Sequence, residues 1–214
     1  MTYDIASETN DLARARGSKK RTRIQAENEE RILDAALVQF ERVGVKKSTI
    51  EDIARIAGVD RVTVYRRIGS RDDLVRAVFT REVTNLLVEL EKLTVKHDNI
   101  ADLIAESLVT VIRAWRTNKM VQRLMTLEPD RLLPQLSTEG GATFTMAVAA
   151  TTLTIEAAAD RGLVPRHSDA AVRAEILCRI VQSLILLPSA TVPLDSDSEL
   201  DRFARRYLTS IVTD

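Results

Sequence analysis

"AGVDRVTVYRR", residues 57–67, places a glycine turn directly before a short helix that carries much exposed polar cargo. Ala57, Gly58 and Val59 make a tight apolar turn, and Asp60 has the short acidic side chain of a helix N-cap. Val64 and Ile68 sit four apart and pack inward. Arg61, Thr63, Arg66 and Arg67 are then left to point outward, with Tyr65 among them. Upstream, "KKSTIEDIARIAGV" (46–59) has Ser48 and Glu51 at capping-box spacing and a short apolar stripe of Ile50, Ile53 and Ala54. Short helix, glycine turn, second helix with a polar outer face: this is the layout of a helix-turn-helix over about residues 49–68.

Outward from this core the pattern stays helical. Ile32, Leu33, Ala36, Leu37 and Phe40 recur on one face of a preceding helix that Gly44 ends. Ser70 can cap a long helix whose apolar positions run from Leu74 through Val78 and Val83 to Leu90. Further helical segments fall at about 99–117, 119–126, 142–161, 169–187 and 197–212. They are separated by breaks at "LEPDRLLPQLSTEGG" (127–141), "DRGLVPRHSD" (160–169) and "LPSATVPLDSD" (187–197). With 7 glycines, 5 prolines and no strand alternation, the chain reads as all-α. Residues 1–24 read as a disordered basic arm, 25–85 as a domain of three helices built on the helix-turn-helix, and 86–214 as a larger helical domain.

Composition narrows the class. Hydrophobic residues at 45% can build a real core, and the one cysteine, Cys178, excludes an internal disulfide. No apolar run approaches the roughly 18 residues of a membrane span, and the N-terminus lacks the apolar stretch of a secretory signal. A cytoplasmic protein is expected. The formal net charge of zero hides an asymmetry. Residues 1–71 hold 15 Lys and Arg against 11 Asp and Glu, a net +4, and the remainder holds 16 against 20, a net −4. A basic front suggests a polyanionic partner.

The stretch "RILDAALVQFERVGVKKSTIEDIARIAGVDRVTVYRRIGSRDDLVRAVF" (31–79) resembles the TetR family of bacterial transcriptional repressors. Ala35, Ala36, Phe40, Gly44, Thr49, Ile53, Ala54, Gly58, Val59, Thr63, Tyr65, Ser70, Arg71 and Leu74 match its pattern in order and at unbroken spacing. Val62 stands where the family often has glycine, Arg67 where histidine or an aromatic is usual, and Ile68 where phenylalanine is usual. Val62 and Arg67 alter the presented surface, so an operator cannot be borrowed from a relative.

A helix fits the major groove, where hydrogen bonds and methyl contacts read base identity. Arg61 is long enough for a guanine edge or a phosphate, and Val62 and Thr63 offer methyl surface to thymine. The resemblance implies a phosphate contact for the Tyr65 hydroxyl. Arg66 and Arg67 suit phosphate, Ser48 and Thr49 place hydroxyls at a helix start, and Arg71 begins the next helix near the flanking strand. Double-stranded DNA carrying a palindromic operator is the expected partner.

The rest of the chain has no catalytic constellation, and no cofactor or metal site is expected. His97 and His167 lie in loop-like contexts far from Cys178, and Gly140–Gly141 lacks a following Lys-Ser/Thr. The resemblance implies a homodimer through the last two long helices, here "EILCRIVQSLILLP" (175–188) and "RFARRYLTSIV" (202–212). Leu103, Leu108, Trp115, Met120, Leu124, Met125, Phe144 and Met146 suggest an adaptable apolar pocket for a small effector, with Arg113, Arg116 or Gln122 as polar anchors. A ligand-responsive repressor, not an enzyme, is the leading reading. An activator, a non-specific DNA-organising protein, or a helical enzyme or small-molecule binder are the alternatives.

Overall fold

A computed structural model of the 214-residue chain describes residues 5–137, 140–188 and 191–214, with backbone alone for 5–23 and Gln135. Among the described residues every regular element is helical. The chain divides into two compact units, Met1–Val78 and Phe79–Asp214. Their boundary lies inside one continuous helix, seven residues before the expected one, where no change of composition marks it.

The first unit holds α1 (Ile5–Val43), α2 (Ile50–Ala57), α3 (Arg61–Arg67) and the opening turns of α4 (Arg71–Lys96). Here α1 packs on α2, and α2 on α3. Ile32, Phe40, Ile53, Val64, Leu74 and Val78 are each at most 1% exposed. Burying such a side chain stabilises by about 1.5–3 kcal/mol, so these apolar stripes hold α2 and α3, two short helices that would not persist alone.

Gly58 ends α2 at φ +65°, the left-handed region, and Val59 N–H closes the turn on Ala54 C=O at 3.0 Å. Arg31, from α1, donates to the Ala57 carbonyl. A Cβ on Gly58 would lie 2.6 Å from the Arg31 Nη2. Glycine is required there both for the backbone angle and for this close approach.

The second unit continues α4 and adds α5 (Ile100–Thr117), α6 (Lys119–Leu127), α7 (Pro129–Gln135), α8 (Gly141–Asp160) and α9 (Ala170–Leu186). It closes with α10 (Asp197–Phe203), a π-helical turn at Ala204–Leu208 and α11 (Ser210–Thr213). The capping box at the start of α10 is complete, with Ser196 and Glu199 each bonding the other's backbone N–H. Helix α8 packs along α9, while α5 packs against α9, α10 and the π turn. Leu108, Ile112, Ile155, Leu200, Leu208 and Val212 belong to one core.

Three sequence expectations change. Helix α1 starts at Ile5, so the backbone is helical through most of the supposed arm, which is rich in good helix formers such as Ala13, Arg14, Ala15 and Arg16. Residues 1–4, and the basic side chains of 5–23, lie outside what is described. The break at 127–141 contains α7, because Pro129 at the first helical position sacrifices an N–H that has no helical partner anyway. Helix α8 is long and apolar enough to cross a membrane by length and composition, since its threonines and alanines dilute the apolar run without adding charge. The C-terminal helix, expected at a dimer interface, packs one face into the core of its own unit, where Ala204, Leu208 and Val212 are at most 2% exposed, while Tyr207 is 54% exposed.

Candidate nucleic-acid interface and a cavity in the second unit

Asp60 caps α3, its carboxylate accepting the Thr63 amide at 2.6 Å and the Thr63 hydroxyl at 2.9 Å. These two bonds hold the Asp60 carboxyl below the ordinary aspartate range. Val64 fixes the inner face of the helix, fully buried. The opposite face carries Val62 (69% exposed) and Tyr65 (46% exposed), with Arg66 exposed beside them. Arg61 forms an ion pair with Glu51 of α2 at 2.7 Å, and its guanidinium lies 5.3 Å from the centre of the Tyr65 ring. An apolar side chain, a ring and two guanidinium groups on one exposed helix face form a surface suited to base edges and phosphates.

Four of the expected contact residues are engaged within the protein. Ser48 is buried and donates its hydroxyl to the Gly44 carbonyl at 2.6 Å, so it braces the turn before α2. Thr49 takes the cap instead: its hydroxyl oxygen accepts from Asp52 N–H at 3.1 Å and donates to the Asp52 carboxylate at 2.7 Å. Arg67 lies three residues after Val64 and shares its inner face, so it is half-buried with Nε turned from solvent. Arg71 donates to the Lys46 carbonyl at 3.2 Å, tying the start of α4 to the turn before α2. Glu51 and Arg31 went unread in the sequence. Glu51 was noticed only as a capping residue, and nothing local announces that Arg31 reaches a carbonyl 26 residues away.

The second unit encloses a cavity of about 620 Å³ between α4, α5, α6, α8 and α9. Leu103, Leu108, Trp115, Met120 and Phe144 line it, as expected from the sequence. Leu124 is buried one turn further along α6, and Met125 points out at 40% exposure. Met146 lies two residues, about 200°, around α8 from Phe144, and its Sδ accepts the Thr84 hydroxyl at 3.8 Å. None of these three lines the cavity.

The expected polar anchors are engaged elsewhere. Arg113 pairs with Asp197 at 2.5 Å, Arg116 donates to the Leu194 and Asp195 carbonyls, and Gln122 is exposed. The polar lining comes instead from Glu82, Asn85, Glu89, Ser107, Arg179 and Gln182. Cys178 also lines the cavity, its thiol 3.5 Å from the Thr151 hydroxyl and pushed up from its ordinary pKa by burial. Sequence had assigned Cys178 to the core.

His97 contacts Glu106 at 2.5 Å and His167 contacts the Val212 carbonyl at 3.0 Å, both tying neighbouring segments together. Among the described residues no group of three or more His, Cys, Asp or Glu is placed to hold a metal ion. Helix α8 carries the exposed Leu153 (66%), and α9 carries Val172 at 56%, Ile176 at 43% and Leu186 at 40%, with Leu187 just past its end at 65%. On α9, residues 172 and 176 fall on one face by helical spacing.

Residues 32–78 match the family model of bacterial regulatory proteins, tetR family. No curated protein matches the chain. Among solved structures, the TetR family repressor AlkX from Dietzia, implicated in biodegradation of n-alkanes, superposes with a TM-score of 0.68 at 22% identity, covering 85% of this chain and 93% of that one. The transcriptional repressor QsdR of R. erythropolis, also of the TetR family, gives 0.63 at 19% identity over 88% and 96%. RolR in complex with resorcinol gives 0.59 at 14% over 89% and 90%. Family model and fold agree: residues 32–78 carry the N-terminal domain of the tetR family of bacterial regulatory proteins, on a chain with the fold of TetR-family transcriptional regulators.

Proposed function

We propose that this protein is a sequence-specific transcriptional repressor of the cytoplasm, which binds a palindromic operator as a homodimer and leaves it when a small, largely apolar effector binds. The observation that carries this reading is the outer face of α3, where Arg61, Val62, Tyr65 and Arg66 stand exposed on a helix whose inner face is locked by Val64. Thr49 and Arg71 flank that face and suit phosphate.

A seven-residue helix reads only a few base pairs. Two copies on a symmetric site, one helical turn of about 34–36 Å apart, supply the missing specificity. The exposed apolar side chains of α8 and α9 support pairing through those two helices, because such surface in water favours a partner.

The effector reading rests on the cavity, whose volume falls in the range of about 300–1,000 Å³ usual for ligand sites. RolR with bound resorcinol offers a precedent for a small ligand in this fold. Helix α4 is continuous from Arg71 to Lys96, and its residues from Phe79 to Leu90 line the cavity. A ligand that prefers one position of α4 shifts the population of DNA-competent dimers by its differential affinity alone.

Selection of binding sites from a random duplex library, followed by gel shift of the enriched sequence, tests the proposal. Two-fold symmetric half-sites about one helical turn apart are expected. Retention of all duplexes alike, or of none, refutes it.

A further inference from the structure

Inside the cavity most polar side chains already have partners within the protein. The Gln182 amide donates to the Leu136 carbonyl, the Thr154 hydroxyl to the Ala150 carbonyl at 3.1 Å, and Thr151 meets Cys178. Asn118 caps α6 through Val121 N–H at 3.0 Å and reaches Glu82 at 3.4 Å. The sole cation of the lining, Arg179, is bound through Nε at 2.9 Å and Nη2 at 2.5 Å to one Glu175 oxygen, with Phe144 beneath it at 5.4 Å.

Among the described residues, Asn85, Glu89, Ser107 and Thr143 line the cavity without a hydrogen-bond or ion-pair partner in the protein, Asn85 and Glu89 at its solvent-exposed side. Glu82, Asn85 and Glu89 recur on one side of α4 at helical spacing; Glu82 is paired with Arg81 at 3.9 Å and bonded by Asn118, so Glu89 is the carboxylate of that wall with open capacity. Phe79, Trp115 and Phe144 add aromatic faces, which attract cations. The remaining wall is largely aliphatic. A carboxylate or phosphate entering this space meets like charge on α4 and a cation already neutralised by Glu175. A donor head meets the open Glu89 carboxylate, which only accepts, while the Asn85 amide and Ser107 hydroxyl accept or donate.

We propose that the effector is an apolar molecule whose polar end donates hydrogen bonds and bears no negative charge, with a protonated aliphatic amine the best-matched form. This rests on the cavity being the effector site. Glu89 is the acceptor of the head group, Asn85 and Ser107 its neighbours, and the aliphatic tail lies against α5 and α9.

The test compares decylamine, decanol and decanoate, each below its micelle-forming concentration, on the full-length protein. Fluorescence of Trp115, the only tryptophan and part of the lining, reads binding directly. Gel shift on the selected duplex reads DNA release separately. Decylamine is expected to bind tightest, with decanoate weaker by about tenfold or more, the scale of one charge-assisted hydrogen bond. Glu89→Gln is expected to cut the preference for decylamine over decanol by about tenfold, because the amine loses its ion pair while the alcohol keeps a neutral acceptor. Decanoate binding as tightly as decylamine, an unchanged preference in Glu89→Gln, or no binding by any of the three overturns the proposal. Decylamine binding with the expected preference but no effect on DNA affinity upholds this ligand class and refutes the regulatory reading above.

Discussion

The Arg61 guanidinium lies 2.7 Å from the Glu51 carboxylate, joining the first turn of α3 to the first turn of α2. Both side chains are more than half exposed, so the pair contributes little to stability and its consequence is positional. Arg61 waits folded across the front of the recognition surface, held by Glu51 and resting near Tyr65.

Arg61→Ala is therefore expected to weaken binding to the selected operator by about 1–3 kcal/mol and to relax preference at one base pair. Glu51→Gln releases the guanidinium and removes a negative charge from the DNA-facing side, raising affinity for unrelated duplexes. Titrations at fixed salt across single-base operator variants measure both. Equal losses for every variant in Arg61→Ala would assign that side chain to phosphate alone.

Gly58→Ala forces a side chain into a left-handed residue and against Arg31 Nη2. A loss of about 1–3 kcal/mol is expected, read from the urea midpoint. Pairing it with Arg31→Ala relieves the steric part and leaves the backbone strain, so the double mutant is less than additive. Full additivity would show that the close approach is not what glycine serves.

Ile176→Glu places a charge among the exposed apolar side chains of α9. The variant is expected to keep its helical circular dichroism, elute as a monomer, and lose operator affinity by about a hundredfold or more, because one head then binds without its tethered twin. Light scattering that finds a dimer unchanged by this substitution would place the interface elsewhere.

Hydrogen bonds from Thr63 hold Asp60 below its ordinary value of 3.8, and those from Ser70 do the same for Asp73. A depressed folded-state pKa adds stability that is present above the unfolded value and lost as pH falls through the folded one. The first unit should therefore lose stability as pH drops below about 4, with the loss extending under 3.8. Asp60→Asn keeps an N-cap yet cannot titrate. Its stability is expected to vary less over that window in urea melts at stepped pH, and an identical acid limb would assign the titration to other groups.

Burial raises the pKa of Cys178, so less thiolate exists near neutrality than for a free cysteine. Alkylation by iodoacetamide is expected to run slower than for glutathione at the same pH. A bound effector should slow it further, since Cys178 lines the cavity. Faster alkylation in the ligand's presence would contradict that placement.

The helix-turn-helix was legible because its determinants are local. A glycine that must adopt positive φ, an aspartate that caps within three residues, and apolar residues at helical spacing all act within one or two turns. Ser48 was misassigned for the converse reason. Either Ser48 or Thr49 can cap by spacing, and only the packing of the preceding turn, which buries the Ser48 hydroxyl on Gly44, decides between them. Of the eight residues named from apolar character along α5, α6 and α8, five line the cavity. Leu124, Met125 and Met146 failed because helix phase must be combined with the direction of each neighbour. The polar lining on α4 was missed entirely, since Glu82 and Glu89 look like the solvated face of any amphipathic helix.

By itself the sequence determined an all-helical chain, the position of the recognition helix and which of its residues cap it, because hydrogen bonding and φ preference are settled between near neighbours. Tertiary structure alone decided that one face of the C-terminal helix is core while α8 and α9 keep an apolar surface, and that the acidic side of α4 faces a cavity. Those outcomes depend on which helix lies opposite which, and burial is a property of the pair rather than of either strand of sequence.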